Sequence, residues 1–216
     1  MMNNRERMAE IIRRLEEYYP DGECALESGG DPFRLLVMAI LSAQCTDARV
    51  NAVSVGLFAR FPDVWAFAEA GQEELEAEIR SCGLYHAKAK NLRLCARRIL
   101  ECYGGEVPSA MEDLLTLPGV GRKVANLIRG DVFHLGGIVA DTHCIRICGL
   151  LGFSDGKDPL KTEKALDKLV PVDQQSAFCH RLVQYGRDVC IARRPQCRAC
   201  VLADLCPSGK EGSTCK

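Results

Sequence analysis

The sequence predicts an all-α fold of about ten helices, and three observations carry that expectation. Apolar residues recur at helical spacing along most of the chain. Helix start and stop signals punctuate these stretches at regular intervals. Strand signals are confined to Gly137-Ile138-Val139-Ala140, which is too short to anchor a sheet. Met8, Ile11, Ile12 and Leu15 fall on one helical face and predict an N-terminal helix that ends before Pro20. Asp31-Pro32 is an N-cap followed by a proline at the first helical position. The helix it opens, about 32–43, is apolar nearly all round and is expected to be buried. Thr46 or Asp47 caps the next, about 47–60. Further helical patterns cover about 63–69, 72–81, 85–103, 109–116, 122–134, 142–151, 159–170 and 174–187. Soft boundaries lie near Asp21-Gly22 and Gly136-Gly137.

Composition narrows the class. Hydrophobic residues make up 47% of the chain and charged residues 26%, which excludes a disordered, collagen-like or low-complexity chain. No window reaches the ~18 apolar residues of a membrane span, and the N-terminus opens on a charged amphipathic stretch, so the expected location is the cytoplasm. The net charge is -1, but it is unevenly spread. Residues 1–79 carry 7 Lys/Arg against 15 Asp/Glu, while residues 80–150 carry 10 against 6 and residues 181–216 carry 7 against 3. Two basic blocks behind an acidic front can form a positive face for a polyanion. Thirteen cysteines are present. Nine are scattered and read as mostly buried thiols of a reducing compartment.

The other four stand together as Cys190, Cys197, Cys200 and Cys206. Thiolates so close can converge on one metal centre, either zinc or an iron–sulfur cluster. Structural zinc usually joins two close pairs, and only Cys197 and Cys200 form one, so the spacing favours the larger 4Fe-4S cubane. A second motif runs 117-LPGVGRK-123. Pro118 stops a helix, Gly119 and Gly121 permit positive φ, and a second helix opens at about Arg122. Backbone amides of Gly119, Val120 and Gly121, with Arg122 beside them, make a phosphate site that grips a nucleic-acid backbone without reading sequence. Lys123 lies in the first turn, where a structural cation opposes the helix dipole, and its amine is a candidate nucleophile. A third motif is Asp141-Thr142-His143. Asp141 is an N-cap whose second oxygen is available for proton or charge relay. His143 either contacts phosphate or packs.

Together these motifs, with 41-LSAQCTDARVN-51, 83-GLYHAKAKN-91 and 187-RDVCIARRPQC-197, resemble the endonuclease III branch of the helix–hairpin–helix DNA glycosylases over nearly the whole chain. The resemblance implies two helical domains, with the active site in the cleft between them. One is a six-helix barrel over 23–134 that contains the helix–hairpin–helix at about 109–134. The other combines 1–22 with 135–216 and carries a 4Fe-4S cluster on Cys190, Cys197, Cys200 and Cys206. It further implies a monomeric base-excision-repair enzyme, nucleoid-associated if bacterial. Such an enzyme excises oxidised pyrimidines from double-stranded DNA and then cleaves abasic sites by β-elimination. Lys123 falls on the family's Schiff-base nucleophile and Asp141 on its essential aspartate.

Reaching a sugar inside a duplex requires the nucleotide to be flipped out. Gln44 and Leu84 match the side chains that fill the vacated stack, one polar and one apolar. Closing the cysteine segment displays Arg193 and Arg194, which are expected on DNA phosphate. Three departures from the family stand out: Cys82 replaces a bulkier aliphatic residue, Cys45 replaces alanine, and Arg129-Gly130-Asp131 is expected to interrupt the hairpin's second helix. Two other readings compete. An adenine glycosylase of the same superfamily lacks the nucleophilic lysine. A non-enzymatic DNA-binding module with structural zinc needs neither Lys123 nor Asp141.

Overall fold

A computed structural model describes residues 2–209. Eleven α-helices span them, with short 3-10 turns and no strand among the described residues. The chain divides into two compact units, Met1–Cys24 with Leu135–Lys216, and Ala25–His134.

The central unit, Ala25–His134, is built on α2 (Pro32–Leu41). Asp31 accepts from the Arg34 amide at 2.8 Å and Pro32 opens the first turn. Every residue from Leu35 to Leu41 is buried, as an all-apolar helix demands. It packs against α3 (Asp47–Arg60), α6 (Tyr85–Tyr103) and α8 (Arg122–Asp131). Thr46, not Asp47, caps α3. The short helices α4 (Val64–Glu69) and α5 (Gln72–Ile79) lie on α6. Phe67 is fully buried among Phe33, Phe58 and Phe61, with ring centroids 5.3–6.1 Å apart.

The terminal unit joins α1 (Asn4–Tyr18) to α9 (Thr142–Leu150), α10 (Pro159–Asp167) and α11 (Gln175–Asp188). Asn3 and Glu6 close a capping box at the start of α1. Arg181 of α11 is buried and donates to the carbonyls of Tyr19 and Pro20 at 2.9 and 3.1 Å, which fixes the end of α1. Farther back on α1, Arg14 donates to the Val201 carbonyl and Arg7 to the Leu205 carbonyl, at 2.7 and 3.3 Å. These bonds hold the cysteine-bearing segment to the helix.

Element ends differ from the sequence pattern for local reasons. Of 109–116 only α7 (Met111–Leu114) is α-helical, because Thr116 turns its amide and hydroxyl back to the Asp113 carbonyl. Helix α8 does not break at Arg129-Gly130-Asp131: it runs on to Asp131 with Gly130 buried inside it. The passage 137–140 stays single, fastened by Gly137 N–H to Gln175 Oε1 at 2.8 Å. Of the eight described scattered cysteines, Cys82, Cys95, Cys144, Cys148 and Cys179 are buried, Cys24 and Cys45 are half-buried and Cys102 is exposed. Cys215 lies outside the described residues.

Candidate functional site

The turn between α7 and α8 is set by two glycines with different duties. Gly119 has φ +84°, and a Cβ there would also stand 3.1 Å from Asn91 Cβ. Gly121 is the N-cap of α8, has ordinary extended backbone and faces open space. It offers no side chain to the first amides of α8, so that helix start lacks the usual side-chain cap. Val120 departs from the expectation of an amide open to phosphate. Its N–H donates to the Leu117 carbonyl at 3.1 Å, and its side chain is buried as the anchor of the turn. Arg122 and Lys123 follow directly and are exposed. Behind them, Ala125, Asn126 and Ile128 bury the opposite face of α8.

Gln44 and Leu84 share an uncommon backbone state. Their φ values are +55° and +48°, and His134 is the other described non-glycine residue with positive φ. Left-handed backbone at a side-chain-bearing residue costs on the order of 1–3 kcal/mol. Both side chains are exposed, Leu84 at 58%, so neither is a core residue. Leu84 is the N-cap of α6 and makes no side-chain cap.

In the terminal unit, Asp141 caps α9, with Oδ1 accepting from the Cys144 amide at 2.7 Å. Two residues on, His143 packs toward α11. A Cβ on Gly186 would fall 2.2 Å from its Nδ1 and 3.1 Å from its Cβ, so the ring fits only because residue 186 is glycine. Arg146 reaches His143 Nδ1 at 3.5 Å with one nitrogen and Cys190 Sγ at 3.4 Å with another. His143 is thus packed against α11 and remains half-buried.

The four clustered cysteines lie on the segment that α9 and α11 support. Tyr185, fully buried on α11, has its hydroxyl 2.9 Å from Cys200 Sγ. Cys206 Sγ and Ser208 Oγ both donate to the Leu150 carbonyl, at 3.6 and 3.0 Å. Burial pushes the Cys190 thiol up, and the Arg146 guanidinium opposes that by favouring the thiolate. Gln196 closes the intervening loop, its amide on the Val189 carbonyl and its side chain on the Asp188 carbonyl, both at 2.9 Å. Arg193 and Arg194 stand exposed on that loop. Sequence motifs alone do not reveal Lys88, Arg146 or Tyr185. A signal for Lys88 is present, since it falls on the apolar stripe of α6 with Ala89, Leu92 and Ile99.

A helical chain whose glycine hairpin opens an uncapped basic helix is a helix–hairpin–helix protein. Comparison with known proteins agrees. Residues 37–172 match the model of the HhH-GPD superfamily base excision DNA repair proteins. The chain is 44% identical over 211 residues to endonuclease III of Synechocystis sp., covering 97% of this chain and 96% of that protein. It is 38% identical over 203 residues to endonuclease III of Escherichia coli K12, covering 94% and 96%. A solved structure of a trapped endonuclease III–DNA covalent intermediate superposes with a TM-score of 0.90 at 38% identity, covering 98% of this chain and 99% of that one. The chain belongs to the endonuclease III family of the HhH-GPD superfamily.

Gly186→Ala should destabilise the terminal unit by about 1–3 kcal/mol, because the new methyl meets the root of the His143 ring and not only its tip. Thermal melts test this against Gly186→Ala combined with His143→Ala, which removes the ring and should recover most of the stability.

Proposed function

We propose that the protein is a bifunctional DNA glycosylase and abasic-site lyase acting on oxidised pyrimidines in double-stranded DNA. One observation carries the reading: a solvent-exposed lysine, Lys123, in the first turn of a helix that opens on a glycine hairpin with no side-chain cap. The relative trapped covalently on DNA supports it. The hairpin supplies the grip, with amides at the start of α8 and the Arg122 guanidinium meeting phosphate oxygens. Gln44 and Leu84 enter the stack left by the extruded nucleotide, which offsets part of the few kcal/mol that extrusion costs. Their exposure and left-handed backbone support that role.

The amine of Lys123, once neutral, attacks C1′ of the extruded sugar while the N-glycosidic bond breaks and the base leaves with a proton. Ring opening gives a protonated Schiff base between Lys123 and C1′. Loss of a C2′ proton then expels the 3′ phosphate, and hydrolysis returns the free amine. Asp141 stabilises positive charge developing on the sugar and moves protons at the Lys123 nitrogen, the ring oxygen O4′ and C2′. His143, half-buried and packed on Gly186, is the candidate phosphate contact of that corner. Exposed Arg193 and Arg194 serve the DNA backbone.

Cys190, Cys197, Cys200 and Cys206 fit a 4Fe-4S cluster. Four cysteines on one short segment, with a guanidinium and a phenol directed at two of them, suit an anionic thiolate-held centre. Bound there, the cluster would cross-link the segment and could exchange an electron.

Three measurements test the reading. Borohydride should trap the wild-type protein on abasic-site DNA, and Lys123→Ala should trap at background. Efficient trapping by that variant would remove the nucleophile assignment, and trapping of neither protein would favour a pure binding module. The purified protein should be brown and contain iron and acid-labile sulfide in equal amounts, both lost in Cys200→Ala; stoichiometric zinc in a colourless protein would refute the cluster. Charge reversal at Arg193 and Arg194 should weaken DNA binding and lower the salt slope by about 1 for each phosphate that is no longer neutralised. An unchanged slope takes both arginines off the DNA.

A further inference from the structure

Lys88 is a charged side chain in an apolar place. It is 4% exposed and sits in the buried stripe of α6 with Ala89, Leu92, Cys95, Ala96 and Ile99. Lysine is almost never buried this deeply unless something repays the lost hydration. Here Nζ donates to two main-chain carbonyls, Leu41 and Cys82, each at 2.8 Å. Burial pulls the pKa of this amine down, yet it keeps N–H donors in either protonation state.

The two carbonyls belong to different turns. Leu41 is the last residue of α2, three positions before Gln44. Cys82 ends the 3-10 turn Arg80–Cys82, two positions before Leu84. Gln44 and Leu84 are two of the three described non-glycine residues with positive φ. A pair of strained turns far apart in sequence is therefore joined through one amine.

We infer that Lys88 is a positioning residue for nucleotide extrusion, its ammonium bracing the turns that carry Gln44 and Leu84 so that the two side chains enter the duplex as a preformed pair. This rests on the reading of Gln44 and Leu84 as the stack-filling residues. The physical advantage is preorganisation: the turns are ordered in the free protein, and their ordering is not charged against the flipping step. A purely structural lysine would be served as well by methionine, which keeps the stem and the packing and drops the donors.

The experiment compares Lys88→Met, Leu84→Ala and wild type on two DNAs. One is a duplex carrying an oxidised pyrimidine beside 2-aminopurine, whose fluorescence rises as the stack opens. The other is a single-stranded abasic oligonucleotide, which needs no flipping and is read by borohydride trapping. Lys88→Met is expected to slow single-turnover excision on the duplex about tenfold or more and to depress the fluorescence rise. Its trapping on the single strand should fall far less.

Duplex excision and fluorescence equal to wild type, with Leu84→Ala impaired, would overturn the bracing role alone. Equal losses on both DNAs in a folded Lys88→Met would also overturn it. A Leu84→Ala protein with unimpaired excision would instead sink the stack-filling reading beneath it. Should Lys88→Met not fold, Lys88→Arg returns a donor to each carbonyl and should excise within about threefold of wild type. A larger duplex-specific loss in that folded variant counts against the bracing role.

Discussion

No α-helix can satisfy its own first amides, and two of the helix starts left without a side-chain cap carry residues of the candidate site. Asn3, Asp31, Thr46, Asp63, Asp141 and Asp158 each turn a side-chain oxygen onto the helix that follows. Helices α5, α6, α7, α8 and α11 do without, and two of them open on residues of the candidate site. Helix α6 begins on Leu84 and α8 on Gly121, and neither residue caps. A cap would stabilise each helix by about 1 kcal/mol. Forgoing it leaves the start of α8 electropositive and bare beside Arg122 and Lys123. At the start of α6 it leaves an exposed leucine where a serine or aspartate would normally stand. Asp141 belongs to both groups, since it caps α9 with one oxygen and is the proton-relay residue of the proposed mechanism.

The cost of these exceptions is carried by the surrounding core. Gln44 and Leu84 hold left-handed backbone, yet each lies beside a segment that cannot easily relax: α2, buried along Leu35 to Leu41, and the stripe of α6 that runs from Lys88 to Ile99. Strain of this kind persists only where neighbours over-determine the conformation. Exposed side chains on strained turns, backed by a dense apolar helix pair, are suited to pushing against another molecule. A flexible loop with the same residues would yield before a base stack did.

Most of the fold was legible because helical period is a strong local signal and the caps are chemically distinct. The pattern Met8, Ile11, Ile12, Leu15 is buried as its spacing demands, and Asp31-Pro32 and Asp141 cap as their types demand. What could not be read was decided by contacts distant in sequence. The inward turn of Val120 depends on how the hairpin closes on Leu117. The packing of His143 depends on a glycine 43 positions later, and nothing local marks Gly186 as its partner. The role of Gly130 went the other way: its intrinsic helix penalty is overridden by burial inside α8. Lys88 passed unremarked among the residues of its helical stretch, and nothing local marks its two carbonyl partners at residues 41 and 82.

The cysteine segment makes sense mechanically once its attachments are followed. Leu202 and Leu205 are its buried apolar residues, which is little for a stretch of this length. It compensates with polar ties to neighbouring helices. Arg7 and Arg14 bind its carbonyls from α1, Tyr185 meets Cys200 from α11, and α9 engages it at Arg146 and again at Leu150. Helix α9 is the element that Asp141 begins. A centre that drew the four sulfurs together would therefore stiffen, through Arg146 and Leu150, the helix whose Cys144 amide is capped by the Asp141 carboxylate. The cysteine segment thus shares a supporting helix with Asp141, which gives a stretch of low apolar content a mechanical reason to be there beyond its own stability.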